Sequence, residues 1–423
     1  MTAKSQRGNA KKEVAQMNAM VIIGGGFAGA SAAQQLRHEG FAGSITIVAK
    51  EPHLPYERPG LSKGFLQGNE DEASLFSHPS EWYEKHDIVV RTGVTADAID
   101  AVAHTVSLTS GESLGYDKLL LATGSRARTL PIPGAKLAGV HTLRTLEDSQ
   151  ALREVFAAGD KNIVLIGSGW IGMEAAAAAR EKGNTVTVLE RGNAPLEAVL
   201  GESLGHNFQQ LHEAHGTVFR MQAGVEGIVG TDNRVTGVTV DGETLPADLV
   251  LVGVGAIPNV ELAEAAGMRV DNGVLVDASL RTSAPDVFAA GDIANIDHAG
   301  AGVRVRSEHW AVALATGQAA AKAMLGQEVR YDVIPFFFTD QWDLGMELAG
   351  YPHLMRDAEI VVRGDLATRE YLAFWVKDGR VGGGMNVNVW DVNEQIQELV
   401  RSGTQVDIAK LSDPSVPLID VAV

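Results

Sequence analysis

Ala19-Met20-Val21-Ile22-Ile23 runs directly into Gly24-Gly25-Gly26-Phe27-Ala28-Gly29, and an alanine-rich stretch continues to Gly40. The short apolar run reads as a buried strand and the stretch after the glycines as a helix. Ser44-Ile45-Thr46-Ile47-Val48 then supplies a second strand. Strand, glycine turn, helix and strand form a unit of about 30 residues that requires a parallel sheet. About 140 residues later the unit recurs, as Asn162-Ile163-Val164-Leu165-Ile166 into Gly167-Ser168-Gly169-Trp170-Ile171-Gly172, a helix to Lys182, and Thr185-Val186-Thr187-Val188-Leu189. Gly24, Gly26 and Gly29 are spaced G-x-G-x-x-G, and so are Gly167, Gly169 and Gly172. Such glycines let the backbone turn sharply and approach a pyrophosphate, whose charge rests on the helix N-terminus. The spacing alone is a weak signal; between a strand and a helix it is strong. Two copies mean two dinucleotide sites, or one site and one structural relic.

Composition narrows the chemistry. With 423 residues the chain has room for two or three domains. Hydrophobic residues at 45% and charged residues at 21% describe a folded protein. Acidic residues exceed basic ones by 53 − 35 = 18, which argues against nucleic acid or an anionic membrane as the main partner. No cysteine is present. A disulfide framework, a thiolate nucleophile, a cysteine-held iron–sulfur cluster and a redox-active cysteine pair are therefore all excluded. No apolar run approaches the length of a membrane span. Residues 1–18 read as a disordered tail, with Lys4, Arg7, Lys11 and Lys12 against Glu13 and without the apolar core of a secretory signal. Nothing marks export, so the cytoplasm is the expected location.

Smaller signals flank the two loops. Glu51 lies 22 residues after Gly29, placed for a ribose hydroxyl, with Lys50 beside it as the other candidate. Glu190 lies 18 residues after Gly172 and favours NADH, because a carboxylate there accepts from a 2′-hydroxyl and repels a 2′-phosphate. The adjacent Arg191 is able to blunt that preference. Leu119-Leu120-Leu121-Ala122-Thr123-Gly124 and Phe288-Ala289-Ala290-Gly291-Asp292 are buried strands ending in tight turns. Asp292 is suited to a ribityl hydroxyl. Further strands are predicted at Lys118–Ala122, Val235–Val240, Leu249–Val254 and Val287–Ala290.

From about Tyr331 the texture changes. Pro335-Phe336-Phe337-Phe338-Thr339-Asp340-Gln341-Trp342 is aromatic, and alternating runs follow, with hairpin signals around Gly364 and at Asp378-Gly379. Asn393–Arg401 reads as a helix. The predicted fold class is α/β: two Rossmann-like dinucleotide-binding domains and a small C-terminal α+β domain with an antiparallel sheet. The expected division is 19–125 with 256–329, then 126–255, then 330–423.

Two dinucleotide folds, an Ala-Thr-Gly turn and a Gly-Asp turn resemble the two-dinucleotide-binding-domain flavoproteins shaped like glutathione reductase. Within them, Pro55–Lys63 (PYERPGLSK), Glu308-His309-Trp310 and FFFTDQWD resemble the ferredoxin reductases that serve Rieske oxygenases and cytochromes P450. Gly60 departs from a usual second Pro and Lys50 from a usual Asp. The resemblance implies hydride transfer from NADH to FAD and single-electron release to an iron–sulfur ferredoxin. It places Ala28, Lys63, Ala96, Arg144, Asp292 and Trp310 around FAD. Gly24, Gly26, Phe27, Gly29, Lys50, Glu51, Arg58, Ala122, Thr123, Gly124, Gly291, Glu308 and His309 complete that expected set, His309 being equally readable as a core residue. For NAD the set is Gly167, Gly169, Trp170, Ile171, Gly172, Glu174, Glu190, Arg191 and Gly255. Lys63 and Glu174 are the expected catalytic pair, Lys63 offsetting negative charge on the reduced ring. No metal, nucleic acid or membrane is expected, and the chain is expected as a monomer or weak homodimer. Arg304 and Arg306 are candidates for docking an acidic ferredoxin, against the plainer reading that they are paired internally. The rivals are an NADH oxidase or apoptosis-inducing-factor-like flavoprotein, and a non-catalytic redox-sensing nucleotide binder.

Overall fold

The computed structural model describes residues 18–423, so the expected N-terminal tail lies outside the described residues except for Asn18. The chain forms two compact units. Residues to Glu57, Leu75–Arg126 and Ile257–Phe336 make the first; Arg58–Ser74, Ala127–Ala256 and Phe337–Val423 make the second. The PYERPGLSK stretch is thereby divided between Glu57 and Arg58.

In the first unit, Ala19–Ile23 lies at the centre of a parallel five-stranded sheet, with Ser44–Val48 and Ile88–Arg91 on one side and Lys118–Leu121 and Val287–Ala289 on the other. All five strands are short and rich in Val, Ile and Leu, as a sheet covered on both faces requires. The helix Phe27–His38 packs on the helix Trp310–Met324 through small residues. A Cβ on Gly317 would stand 2.4 Å from Ala28 O, so the two backbones approach as closely as they do only because Gly317 has no side chain. Met20, Ile22, Leu36, Ile45, Ile47, Leu119 and Leu120 are essentially fully buried in this core. Each such side chain contributes roughly 1.5–3 kcal/mol relative to exposure.

The second unit repeats the plan. Asn162–Ile166 is central in a parallel sheet with Thr185–Leu189, Val218–Arg220, Leu249–Val252 and Val140–His141. The C-terminal segment adds a sheet ordered Phe336–Gln341, Leu344–Gly350, Arg380–Val387, Glu370–Lys377, Glu359–Asp365, with antiparallel pairing across its last four strands. One face of this sheet shares a core with the dinucleotide module. Tyr371, Trp375, Met346 and Met385 cluster with Met173, Leu204, Phe208 and Leu211. The helix Asn393–Ser402 packs against the Arg380–Val387 strand.

The turn at Asp378-Gly379 falls where it is predicted, both residues having positive φ between paired Lys377 and Arg380. The hairpin signalled by Gly364 is displaced. Gly364 sits inside the strand Glu359–Asp365, and the chain turns over residues 366–369. Its φ of +109° and a virtual Cβ 2.5 Å from Glu370 O explain why glycine stands there within a strand.

Candidate active site

The two glycine loops are built alike. Gly24 has φ +126° and Gly167 φ +100°, a region that strains any residue with a Cβ. A Cβ on Gly24 would lie 2.0 Å from Ala122 O, and one on Gly167 2.4 Å from Gly253 O. The third glycines press the helix onto the strand: a Cβ on Gly29 would meet Gly24 O at 2.3 Å, and one on Gly172 would meet Gly167 O at 2.5 Å. The middle glycines differ from both. Around Gly26 and Gly169 nothing lies within 4 Å of a virtual Cβ, and both cap their helices in extended conformation without a side-chain cap. Each loop therefore holds open space in front of uncapped helical N–H groups, the cradle a pyrophosphate needs.

Around the first loop, Tyr56 bridges to Gly26 through its backbone, and its hydroxyl donates to Glu51 Oε2. Glu51 is half-buried and aimed by this bond, whereas Lys50 is exposed. The carboxylate is thus the better placed of the two for a ribose. Phe27 stacks on Trp310, with centroids 5.1 Å apart and 14° between planes, and Trp310 Nε1 donates to Glu57 at 2.7 Å. Gly291 takes a positive φ and donates its N–H to Thr316 Oγ1 at 2.9 Å. That turn presents Asp292, 8% exposed, which accepts from Ser125 Oγ at 2.7 Å. The Ala122-Thr123-Gly124 turn is clamped by Asn259, whose side chain donates to Thr123 O at 2.8 Å while Thr123 Oγ1 donates to Asn259 O at 3.0 Å. Burial pushes the His309 pKa down to about 4, so the ring is neutral near pH 7.

Arg306 is not a free docking group. Its guanidinium donates to Glu308 Oε1 at 2.7 Å and to Asp292 O at 3.1 Å. Arg304 donates to Val276 O and Asn295 O. Arg306 is thus paired internally, as in the plainer reading, whereas Arg304 bonds only carbonyls and stays exposed. Arg306 ties the segment before Glu308 to the Asp292 turn, and Arg304 ties it to the carbonyls of Val276 and Asn295.

In the second unit, Glu190 caps the second loop from the side. Its Oε2 accepts from Ser168 N at 3.0 Å and Ser168 Oγ at 2.5 Å, and its Oε1 from Gly192 N at 2.9 Å. Burial alone would raise this carboxyl, but the bonds from Ser168 and the backbone outweigh it and hold the pKa below its ordinary value. Arg191 is exposed. Gly255 has φ +100°, nothing near its virtual Cβ, and accepts from Arg128 N at 2.9 Å. Trp170 packs on Phe337 and Phe208, and Ile171 is exposed. Arg58 donates to Arg144 O, and Arg144 N is held at 2.9 Å by Asp148, whose side chain closes the capping box of the helix Leu146–Ala158. Ala96 opens the strand Ala96–Asp100 in the first unit.

Lys63 and Glu174 form an ion pair, Nζ to Oε1 at 2.5 Å, with side-chain exposures of 15% and 3%. Glu174 also accepts from Ser62 Oγ and from Thr339 Oγ1 at 2.6 Å. Lys63 Nζ lies 5.5 Å from the centre of the Phe338 ring. Ser62, Thr339 and Asn259 escape sequence reasoning: ordinary polar residues, they owe their role to neighbours more than 100 positions away.

Two families match the chain. Residues 18–317 match the pyridine nucleotide-disulphide oxidoreductases and residues 336–422 the "Reductase C-terminal" family. Rhodocoxin reductase of Rhodococcus erythropolis is 39% identical over 87% of this chain and 86% of its own. The ferredoxin–NAD(+) reductase component of the anthranilate 1,2-dioxygenase system of Burkholderia cepacia is 37% identical over 94% and 98%. The chain belongs to the ferredoxin–NAD(+) reductase family of these flavoproteins. Putidaredoxin reductase, in the crystal structure of its covalent complex with putidaredoxin, superposes with a TM-score of 0.91 at 34% identity, over 96% of this chain and 98% of the other. The protein is thus an oxidoreductase whose cofactors are FAD and NADH. The two open cradles, the carboxylates Glu51 and Glu190 and the Asp292 turn fit two dinucleotides. Among the described residues, no helix is long and apolar enough to cross a membrane.

Proposed function

We propose that this chain takes electrons from NADH held at the Gly167–Gly172 loop, through FAD held at the Gly24–Gly29 loop, and delivers them to a small acidic iron–sulfur ferredoxin that feeds an oxygenase. The observation that carries this reading is the presence of two equivalent open cradles and of a partly buried lysine paired with a buried glutamate in a chain without cysteine. A disulfide or persulfide relay needs a thiol, and none is present. Bound FAD supplies acceptance of a hydride and release of electrons one at a time.

The residues bind, orient and bias. Gly26 and Gly169 leave room for the pyrophosphates, and Glu51 and Glu190 select ribose hydroxyls. Lys63 supplies a positive charge that favours the reduced flavin, and Glu174 fixes its ammonium. Asp292, steadied by Ser125, takes the ribityl chain. The protein acts in the cytoplasm, as a monomer or weak homodimer.

The test is acceptor choice. Purified protein releases FAD on acid treatment and reduces a two-iron ferredoxin rapidly with NADH, passing electrons through it to cytochrome c. Recovery of FMN, or slow turnover that yields hydrogen peroxide with no ferredoxin reduction, refutes the assignment.

A further inference from the structure

Thr339, Gln341 and His212 are all 0% exposed, and beyond the bond from Thr339 to Glu174 none has been given a part in the chemistry above. They form a continuous hydrogen-bonded line. Thr339 Oγ1 lies 2.6 Å from Glu174 Oε1, Gln341 Nε2 lies 3.2 Å from Thr339 Oγ1, and His212 Nε2 lies 2.7 Å from Gln341 Oε1. Strand alternation puts Thr339 and Gln341 on one face of Phe336–Gln341. Glu174 comes from the helix after the second glycine loop, and His212 from the helix Glu202–Ala214.

The direction of every bond is forced. An ionised carboxylate only accepts, so Thr339 gives its proton to Glu174. The Thr339 oxygen is then free to accept, which aims the amide nitrogen of Gln341 at it and the amide oxygen at His212. His212 must in turn carry its proton on Nε2. Its Nδ1 is buried without a hydrogen-bond partner, a place for a bare lone pair and not for a second N–H. Burial pushes this histidine down to about 4, in agreement with a neutral ring.

We infer that Thr339 is a positioning residue for the Lys63–Glu174 pair, set by a one-way hydrogen-bond chain from His212 through Gln341 to the Glu174 carboxylate. The inference rests on the proposed role of Lys63 toward FAD. Lysine carries a point charge on a flexible stem, so the place of its ammonium depends on where the carboxylate is held. Ser62 fixes one carboxylate oxygen and Thr339 the other. The C-terminal sheet thereby supplies part of the electrostatic apparatus of the dinucleotide module.

Two substitutions test this in the full FAD-loaded protein. Thr339→Val keeps the shape and removes the donor; Thr339→Ser keeps the donor. Thr339→Val is expected to slow flavin reduction at saturating NADH about tenfold, the scale of one charge-assisted hydrogen bond, and to leave NADH binding within about twofold. Thr339→Ser is expected to restore most of the rate. In a Lys63→Met background Thr339→Val is expected to add nothing. Nitrogen-15 NMR of histidine is expected to find His212 neutral and protonated on Nε2 from pH 8 to 5. A wild-type rate in Thr339→Val, an equal loss in both Thr339 variants, or a full further loss in the Lys63→Met background overturns the positioning role. An Nδ1–H tautomer overturns the chain of bonds by itself. A wild-type rate in Lys63→Met alone instead refutes the role assigned to Lys63, and the positioning role falls with it.

Discussion

Single residues decide cofactor choice, and Glu190 is the clearest case. Its carboxylate is held by Ser168 and Gly192, and those bonds keep its pKa below the ordinary carboxylate value despite burial. A depressed carboxyl stabilises the fold above its unfolded pKa and loses that contribution as pH falls through the folded value. Its charge therefore persists across the neutral and mildly acidic range. Preference for NADH over NADPH, about tenfold or more in kcat/KM, is expected to hold between pH 8 and 7, where both the Glu190 carboxylate and the 2′-phosphate of NADPH are ionised. Glu190→Gln is expected to narrow the gap, and equal use of both cofactors by the wild type would remove Glu190 as selector. A second case is Arg306. Because it bonds Glu308 and the Asp292 carbonyl, Arg306→Gln is expected to lower FAD retention, so that ferredoxin and ferricyanide reduction fall together. A loss confined to ferredoxin would restore it as a docking group. Glu51 and Glu190 are legible in the sequence because their distance from a glycine loop is set by one helix and one strand. Thr339, Gln341 and Asn259 are not, because only tertiary folding brings them to their partners.

At the scale of elements, the sequence reveals strands and helices where local pattern and tertiary demand agree. The strands predicted at Lys118–Ala122, Leu249–Val254 and Val287–Ala290 each form, shorter by one or two residues at the turn. Gly364 misleads, because a glycine that relieves a clash across a strand pair looks like one that makes a turn. The glycine loops themselves make a sharp prediction. Gly24→Ala forces a Cβ against Ala122 O in a left-handed conformation and is expected to destabilise the first unit by roughly 2–4 kcal/mol. Gly26→Ala sits in open space with ordinary backbone angles, so the thermal midpoint without FAD is expected to match the wild type while FAD content falls. Gly169→Ala is expected to keep its FAD and raise the KM for NADH. Loss of FAD from Gly169→Ala would reverse the assignment of the two loops.

The whole molecule is strongly acidic, with a formal charge of −18, and its proposed acceptor is acidic too. Composition shows this at once, but it does not show where a partner docks, because charge counts carry no positions. The two arginines that the sequence offers for docking are both bonded to carbonyls of their own unit, Arg304 while exposed and Arg306 while partly buried. Long-range repulsion between two net-negative proteins then governs the encounter. The Debye length shrinks from about 30 Å at 0.01 M salt to about 8 Å at 0.15 M, so added salt removes most of that repulsion while leaving contact chemistry in place. The kcat/KM for ferredoxin is accordingly expected to rise severalfold between 0.01 and 0.15 M sodium chloride. Reduction of a neutral quinone with NADH at saturation is expected to stay flat over the same range, which isolates the encounter from the hydride step. A fall in ferredoxin kcat/KM with salt would mean that a local cationic patch, and not the net charge, steers the partner.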